Sequence, residues 1–212
     1  MILLFAGCLT AMACTVEGKA VAGSSDLSSR SVTADAFPAG ASRVPGPAVT
    51  GALADLTGHP LNGGVTPADC TPPAVTSDGA VVYVGPDPAT STATYSTAVV
   101  HARGSLRQVT DQARRCPRYV TGTSPAASTL VTTDVLAKPD APVASTGVRR
   151  GLTTGGGTGS SAINTQITTL LAQKDNIRVI VEYRHQSDAP ISTQAAQRLH
   201  VLFGKAVAAA FN

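Results

Sequence analysis

Tryptophan is absent from this chain of 212 residues, aromatic residues make up 4% of it and charged residues 14%, against an ordinary charged share of about 25%. Each shortage excludes a class of function. A nucleic-acid binder clusters Lys and Arg on one face and stacks bases on aromatic rings, and a net charge of +3 with so few rings supplies neither. The four histidines, His59, His101, His185 and His200, are scattered without the spacing of metal ligands, so no metal and no cofactor is expected. The glycine-rich stretch Gly151 to Ser161 lacks the Gly-Lys-Ser/Thr of a phosphate cradle, since no Lys lies between Lys138 and Lys174. Ser160 and Ser161 sit in no Gly-x-Ser-x-Gly elbow. With no base and nucleophile brought together by any motif, the chain is not expected to be an enzyme.

What is present begins at the N-terminus. Residues 1–14 carry no charge and end Ala11-Met12-Ala13-Cys14. Such a run is too short to cross a hydrocarbon layer about 30 Å thick, but it matches the apolar segment of a secretory signal. Small residues at the first and third positions before Cys14 suit a lipoprotein peptidase, which makes Cys14 the expected lipidation site, acylated with diacylglycerol or palmitate. Cys8, after Ala6-Gly7, is the alternative, although it would leave only a stub of apolar segment. Signals of this kind open on positive charge, whereas the first basic residue is Lys19, so the run is expected to be a signal truncated at its N-terminus. The expected organisation is a signal over 1–13, a Gly/Ser-rich lipid-anchored tether over 14–33 and one extracytoplasmic domain over 34–212.

Cys70 and Cys116 remain in the exported body, an even count in an oxidising compartment, and are expected to form a structural disulfide. Closing that loop restricts the unfolded chain by about 4 kcal/mol in the chain-entropy model.

Periodicity predicts an α+β fold. Pro47 to Leu56 reads as a helix followed by Gly58, and Ser105 to Cys116 as an amphipathic helix with Leu106, Val109, Ala113 and Cys116 on one side. Strands are expected at Ala80–Val84, Ala93–Ala102, Arg118–Thr123, Ser128–Ala137, Val143–Leu152, Ile163–Leu171 and Asn176–Arg184. In the last, Ile177, Val179 and Val181 face one way and Arg178, Ile180 and Glu182 the other. A C-terminal amphipathic helix, Ser192 to Ala210, carries Ala195, Leu199, Leu202, Phe203, Ala206 and Ala210 on one face. Successive strands with few intervening helices favour a twisted, mainly antiparallel sheet flanked by two or three helices.

Several short motifs together carry a resemblance: Cys14 followed by Thr-Val-Glu-Gly-Lys-Ala-Val, Phe37-Pro38-Ala39-Gly40, Val65-Thr66-Pro67-Ala68-Asp69-Cys70, Cys116-Pro117-Arg118-Tyr119 and Lys205-Ala206-Val207. Over most of residues 14–212 the chain resembles an actinobacterial, mycobacterial-type lipoprotein family of unknown function. That family is similar to the extracytoplasmic sensor domain of some mycobacterial Ser/Thr protein kinases, an antiparallel sheet with helices, disulfides and a cleft for an unidentified ligand. The resemblance implies location and fold. This chain departs from the kinase sensors in its single expected disulfide and its lack of Trp, so no ligand site is carried over.

The candidate site rests on two strand ends. Arg149-Arg150 precedes the glycine-rich loop, and Tyr183-Arg184 ends the clearest strand. If those ends lie together, Arg149, Arg150, Tyr183 and Arg184 form a polar rim under a glycine-rich flap, suited to an anionic or sugar-like ligand. Solvated strand-end charges are the other reading of the same residues. The functional expectation is a lipid-anchored, sensor-like ligand-binding domain held on the extracytoplasmic side of the cell membrane, with an envelope protein-docking module as the alternative. The expected partners are the membrane, through the lipid, and an unidentified envelope ligand or protein, with no nucleic acid.

Anchoring is directly measurable. Intact-mass analysis of the membrane fraction is expected to show loss of residues 1–13 and a lipid increment on Cys14; cleavage before Cys8 would move the anchor, and an unmodified soluble form would remove it.

Overall fold

The structure is a computed structural model that describes residues 26–123, 128–155 and 161–212. Cys8 and Cys14 lie outside the described residues, as do 156–160 of the glycine-rich loop.

Among the described residues nine strands form one open sheet: β1 (Ser42–Arg43), β2 (Gly64–Thr66), β3 (Thr76–Asp87), β4 (Thr90–His101), β5 (Arg118–Gly122), β6 (Ser128–Leu136), β7 (Ala144–Thr154), β8 (Ile163–Lys174) and β9 (Ile177–His185). Their order is β1-β3-β4-β9-β8-β7-β6-β5-β2, and every neighbouring pair is antiparallel. From β5 to β9 the chain walks strand by strand toward the centre, where β9 meets β4. The tightest connection of this walk is a two-residue turn. Between β8 and β9 the turn is Asp175-Asn176, with Asp175 at φ 54°, a left-handed value that Asp tolerates better than most residues.

Three α-helices of the described residues cover the sheet: α1 (Gly46–Thr57), α2 (Leu106–Arg115) and α3 (Thr193–Phe211). Helix α2 starts in a capping box, Ser105 Oγ accepting from Gln108 N and Gln108 Oε1 accepting from Ser105 N, and Arg114 and Arg115 complement its C-terminal dipole. The Ser192 hydroxyl accepts from Ala195 N to start α3. Pro47 lies in the first turn of α1, and Gly58 ends it in the left-handed conformation.

The strand period of two separates two cores. Val179 and Val181 of β9 point toward α3, where they pack with Leu199, Leu202 and Phe203; Ile180 points to the opposite face, with Leu53 and Leu56 of α1 and Ala113 of α2. Full burial of Leu199, Leu202 and Phe203 stabilises by about 1.5–3 kcal/mol each. The expected faces of β9 and α3 are those observed, and the fold is broadly α+β with sheet predominating.

The domain boundary moves. Residues 26–33, expected as tether, belong to the fold: Leu27 and Val32 are buried in the α3 core, and Leu27 N donates to Gly79 O at 2.9 Å. Arg30 Nη1 donates to Ala210 O at 3.0 Å and Lys205 Nζ to Ala36 O at 3.1 Å, so this segment straps α3 to the sheet. The short edge strands β1 and β2 were not expected. With two and three residues each, they show too little alternation to read.

Cys70 and Cys116 are bonded, joining the short helix Ala68–Cys70 to the end of α2. Both are buried with Val65, Tyr119 and Val131, and Gln112 Nε2 donates to Cys70 O at 2.7 Å beside them. Replacing both cysteines by Ser is expected to lower unfolding free energy by about 2–5 kcal/mol. Thiol labelling of the native protein should find neither cysteine; labelling of both would show the bond is not formed in solution.

Candidate functional site

The face that carries α1 and α2 also carries the polar groups. On β7, β8 and β9 the register aligns Arg150 with Ile167 and Ile167 with Arg184, and the next row aligns Val148, Thr169 and Glu182. Arg150 and Glu182 are both almost fully buried, and Arg150 Nη2 lies 2.9 Å from Glu182 Oε2. The same nitrogen donates to Leu56 O at 2.8 Å and Asp55 O at 3.3 Å, the last carbonyls of α1, where a cation is favoured by the helix dipole. Thr169 Oγ1 donates to Glu182 at 3.3 Å. Arg184 bridges outward, 3.4 Å from Glu182 and 2.7 Å from Asp55 on α1.

This arrangement depends on Gly58. Its φ of 73° suits glycine, and a Cβ there would collide with Arg150 Nη1.

Burial raises the Glu182 carboxyl above the usual carboxylate range, an effect that Arg150 and Arg184 oppose. Burial also pushes the Tyr119 phenol up, again against Arg150.

Beside the cluster, α1, the turn at 58–61 and strands β5–β7 bound an open cleft of about 340 Å³. Cross-strand neighbours Thr121, Thr129 and Thr154 form a hydroxyl row along its floor, with Tyr119, Val131 and Leu152 in the row behind. Asp55, His59 and Leu61 stand on the opposite wall. His59 Nδ1 donates to Pro72 O at 2.8 Å, which fixes that wall to the following loop. Behind Arg150 and Tyr119, which line both spaces, lies a smaller cavity of about 50 Å³ between the sheet and helices α1 and α2.

Of the four expected contacts, the structure brings together Arg150 and Arg184. Arg149 faces the other side, where it pairs with Asp134 at 2.8 Å as an exposed bridge of small energetic weight. Tyr183 also faces the α3 side and is buried; its hydroxyl donates to Asp87 Oδ2 at 2.9 Å, and Arg198 Nη1 donates to Asp87 Oδ1 at 3.0 Å. Burial, then Asp87, push the Tyr183 phenol up, and burial raises the neighbouring Tyr95, whose ring is tilted against it, to about 12. That group is a structural latch between β3, β9 and α3. The four-residue rim therefore does not assemble. Leu152 and Thr154, at the start of the glycine-rich loop, do border the cleft; the flap assigned to its middle lies outside the described residues. Asp55 was missed because nothing local marks a single acid near a helix end. Glu182 was visible as a charge sharing a strand face with Ile180, the sign of a buried polar position.

Among the described residues no group of His, Cys, Asp and Glu gathers as a metal site, and no helix is long and apolar enough to cross a membrane. The large exposed apolar side chains Leu61, Val120, Ile163 and Val201 lie on four separate segments.

No family model matches the chain, and no curated protein matches it. Two mycobacterial proteins are among the solved structures to which it is similar. One is an uncharacterised protein of Mycobacterium smegmatis, the Rv0999 ortholog, with 17% identity and a TM-score of 0.42, covering 81% of this chain and 86% of that one. The other is the extracellular domain of PknH from Mycobacterium tuberculosis, with 15% identity and a TM-score of 0.38, covering 78% of this chain and 97% of that one.

Removing Arg150 tests the cluster. Arg150→Met is expected to cost about 3–5 kcal/mol at neutral pH, because it strands a buried carboxylate and two helix carbonyls. Without Arg150 the folded-state pKa of Glu182 rises further above its unfolded value. The folded state then binds the extra proton, so the variant gains stability as pH falls and loses it as pH rises through that pKa. Denaturant titrations on the acid and alkaline sides of neutrality should show the deficit narrowing in acid; a pH-independent deficit would assign the loss to the helix carbonyls alone.

Proposed function

We propose that this chain is an exported domain, tethered through a lipid on Cys14, that binds a small neutral, hydroxyl-rich ligand in the cleft between α1 and strands β5–β7. The observation that carries this reading is charge balance. Arg150 and Arg184 are matched by Glu182 and Asp55, so the cleft wall offers hydrogen bonds without net charge. An anion would have to displace one of those carboxylates. A neutral polyol meets the Thr121, Thr129 and Thr154 hydroxyls and the exposed Asp55 without that cost.

Two further observations support the reading. The buried Cys70–Cys116 bond fits an oxidising compartment outside the cytoplasm. Each ionisable group of the cluster is held by a partner, an arrangement for holding a ligand rather than for turning one over.

The cleft can be blocked from α1. Ala54 lines it from the helix, and Ala54→Arg is expected to fill it while the fold persists. Saturation-transfer NMR against neutral oligosaccharides and their phosphorylated counterparts should register the neutral series with the wild-type chain and lose it, by at least about tenfold, with Ala54→Arg. Equal binding by the two proteins, or a preference for the phosphorylated series, would overturn the reading.

A further inference from the structure

Four charged side chains are buried among the described residues: Asp87, Arg150, Arg178 and Glu182. Asp87 is paired with Arg198, and Arg150 with Glu182. Arg178 has no carboxylate within ion-pair distance among the described residues. Its Nε and Nη2 donate to Gln173 Oε1 at 2.9 and 2.8 Å, and Nη2 also donates to Gly104 O at 2.8 Å. All of these acceptors are neutral, and among the described residues Nη1 takes no part in the bonds. A buried cation held only by neutral acceptors is far more costly than a paired one. Burial alone lowers its pKa to about 10, with no acid to oppose it.

The second observation is the space that this side chain faces. Arg178 lines the 50 Å³ cavity together with Leu56, Val109, Ala113, Val148, Leu171 and Ile180. Arg150 lines it too, but its charge is met by Glu182. Helix α2 starts just after Gly104, the carbonyl that Arg178 holds, and its N-terminal dipole adds potential of the same sign. Thr57, Pro73 and Val109 are half-buried lining residues and give the cavity a rim at the surface between α1 and α2.

We propose that this cavity is a second binding site, separate from the cleft, for a small aliphatic monocarboxylate whose carboxylate pairs with Arg178 and whose chain lies against Val148, Leu171 and Ile180. The volume equals that of about four waters, which sets the size at a short-chain acid such as propionate or butyrate. The carboxylate supplies the counter-charge that Arg178 lacks, through charge-assisted hydrogen bonds, and the chain replaces void by contact.

The test compares ligands of one shape and different charge. With the full chain in solution, amide chemical shifts are expected to titrate with butyrate to saturation, at a Kd of about 1 mM or tighter, which a ligand of this size can reach. Butan-1-ol is expected to bind at least about tenfold more weakly, since it lacks the charge, and octanoate to be excluded by length. Arg178→Met should abolish the preference for butyrate over butan-1-ol, and Ala113→Leu should fill the space and abolish binding of both. If Arg178→Met does not fold, Ala113→Leu and the two ligands on the wild-type chain still decide. Ala54→Arg, which blocks the cleft, should leave butyrate binding intact, so the two sites stand or fall separately. Equal affinity for butyrate and butan-1-ol, butyrate binding that survives Ala113→Leu, or the lack of any saturable shift would each overturn the proposal.

Discussion

The geometry of the polar face depends on one buried guanidinium. Arg150 ties three things that the backbone alone leaves independent: the C-terminal end of α1, the centre of β7 and, through Glu182, the strand two places further along the sheet. A buried ion pair is a weak source of net stability, because desolvation offsets most of its attraction. Its contribution here is positional. Two helix carbonyls and one carboxylate converge on a single nitrogen, which gives α1 one register against the sheet, and Gly58 keeps the approach clear. The cleft exists because α1 is held there.

The two faces of the sheet divide the labour. The α3 side is packed with aliphatic and aromatic groups, and three of its polar members, Asp87, Tyr183 and Arg198, satisfy one another. An open groove of about 480 Å³ also borders α3, but the α1/α2 side has less apolar surface to offer and encloses charge together with its cavity. Ligand sites belong on a face of that kind, where polar groups are already oriented and room remains.

Much of this was readable from residue spacing. Strand alternation separated Ile177, Val179 and Val181 from Arg178, Ile180 and Glu182, and the apolar stripe of α3 identified its buried face. The same rule argued against the expected rim: Arg149 and Arg150 are adjacent on one strand, as are Tyr183 and Arg184, and neighbours on a strand point to opposite faces. At most one of each pair could reach a common site. The partnership of Asp55 with Arg184 was beyond reach, because it depends on how a helix lies across a sheet and no local period encodes that. Leu27 and Val32 were hidden for a different reason, being single apolar residues in a Gly/Ser-rich stretch with no repeat to mark them.

The strap at the start of the fold has a consequence for how the domain is made. Leu27, Val32 and the bond from Arg30 to Ala210 join residues 180 positions apart in the chain. The part of the sheet beside the disulfide draws β2, β5 and β6 from residues 64–136, whereas the α3 core needs both ends of the domain at once. Until residue 210 is free, Leu27, Val32 and the apolar side of β9 have no cover. Closing that layer therefore joins the earliest part of the fold to the latest.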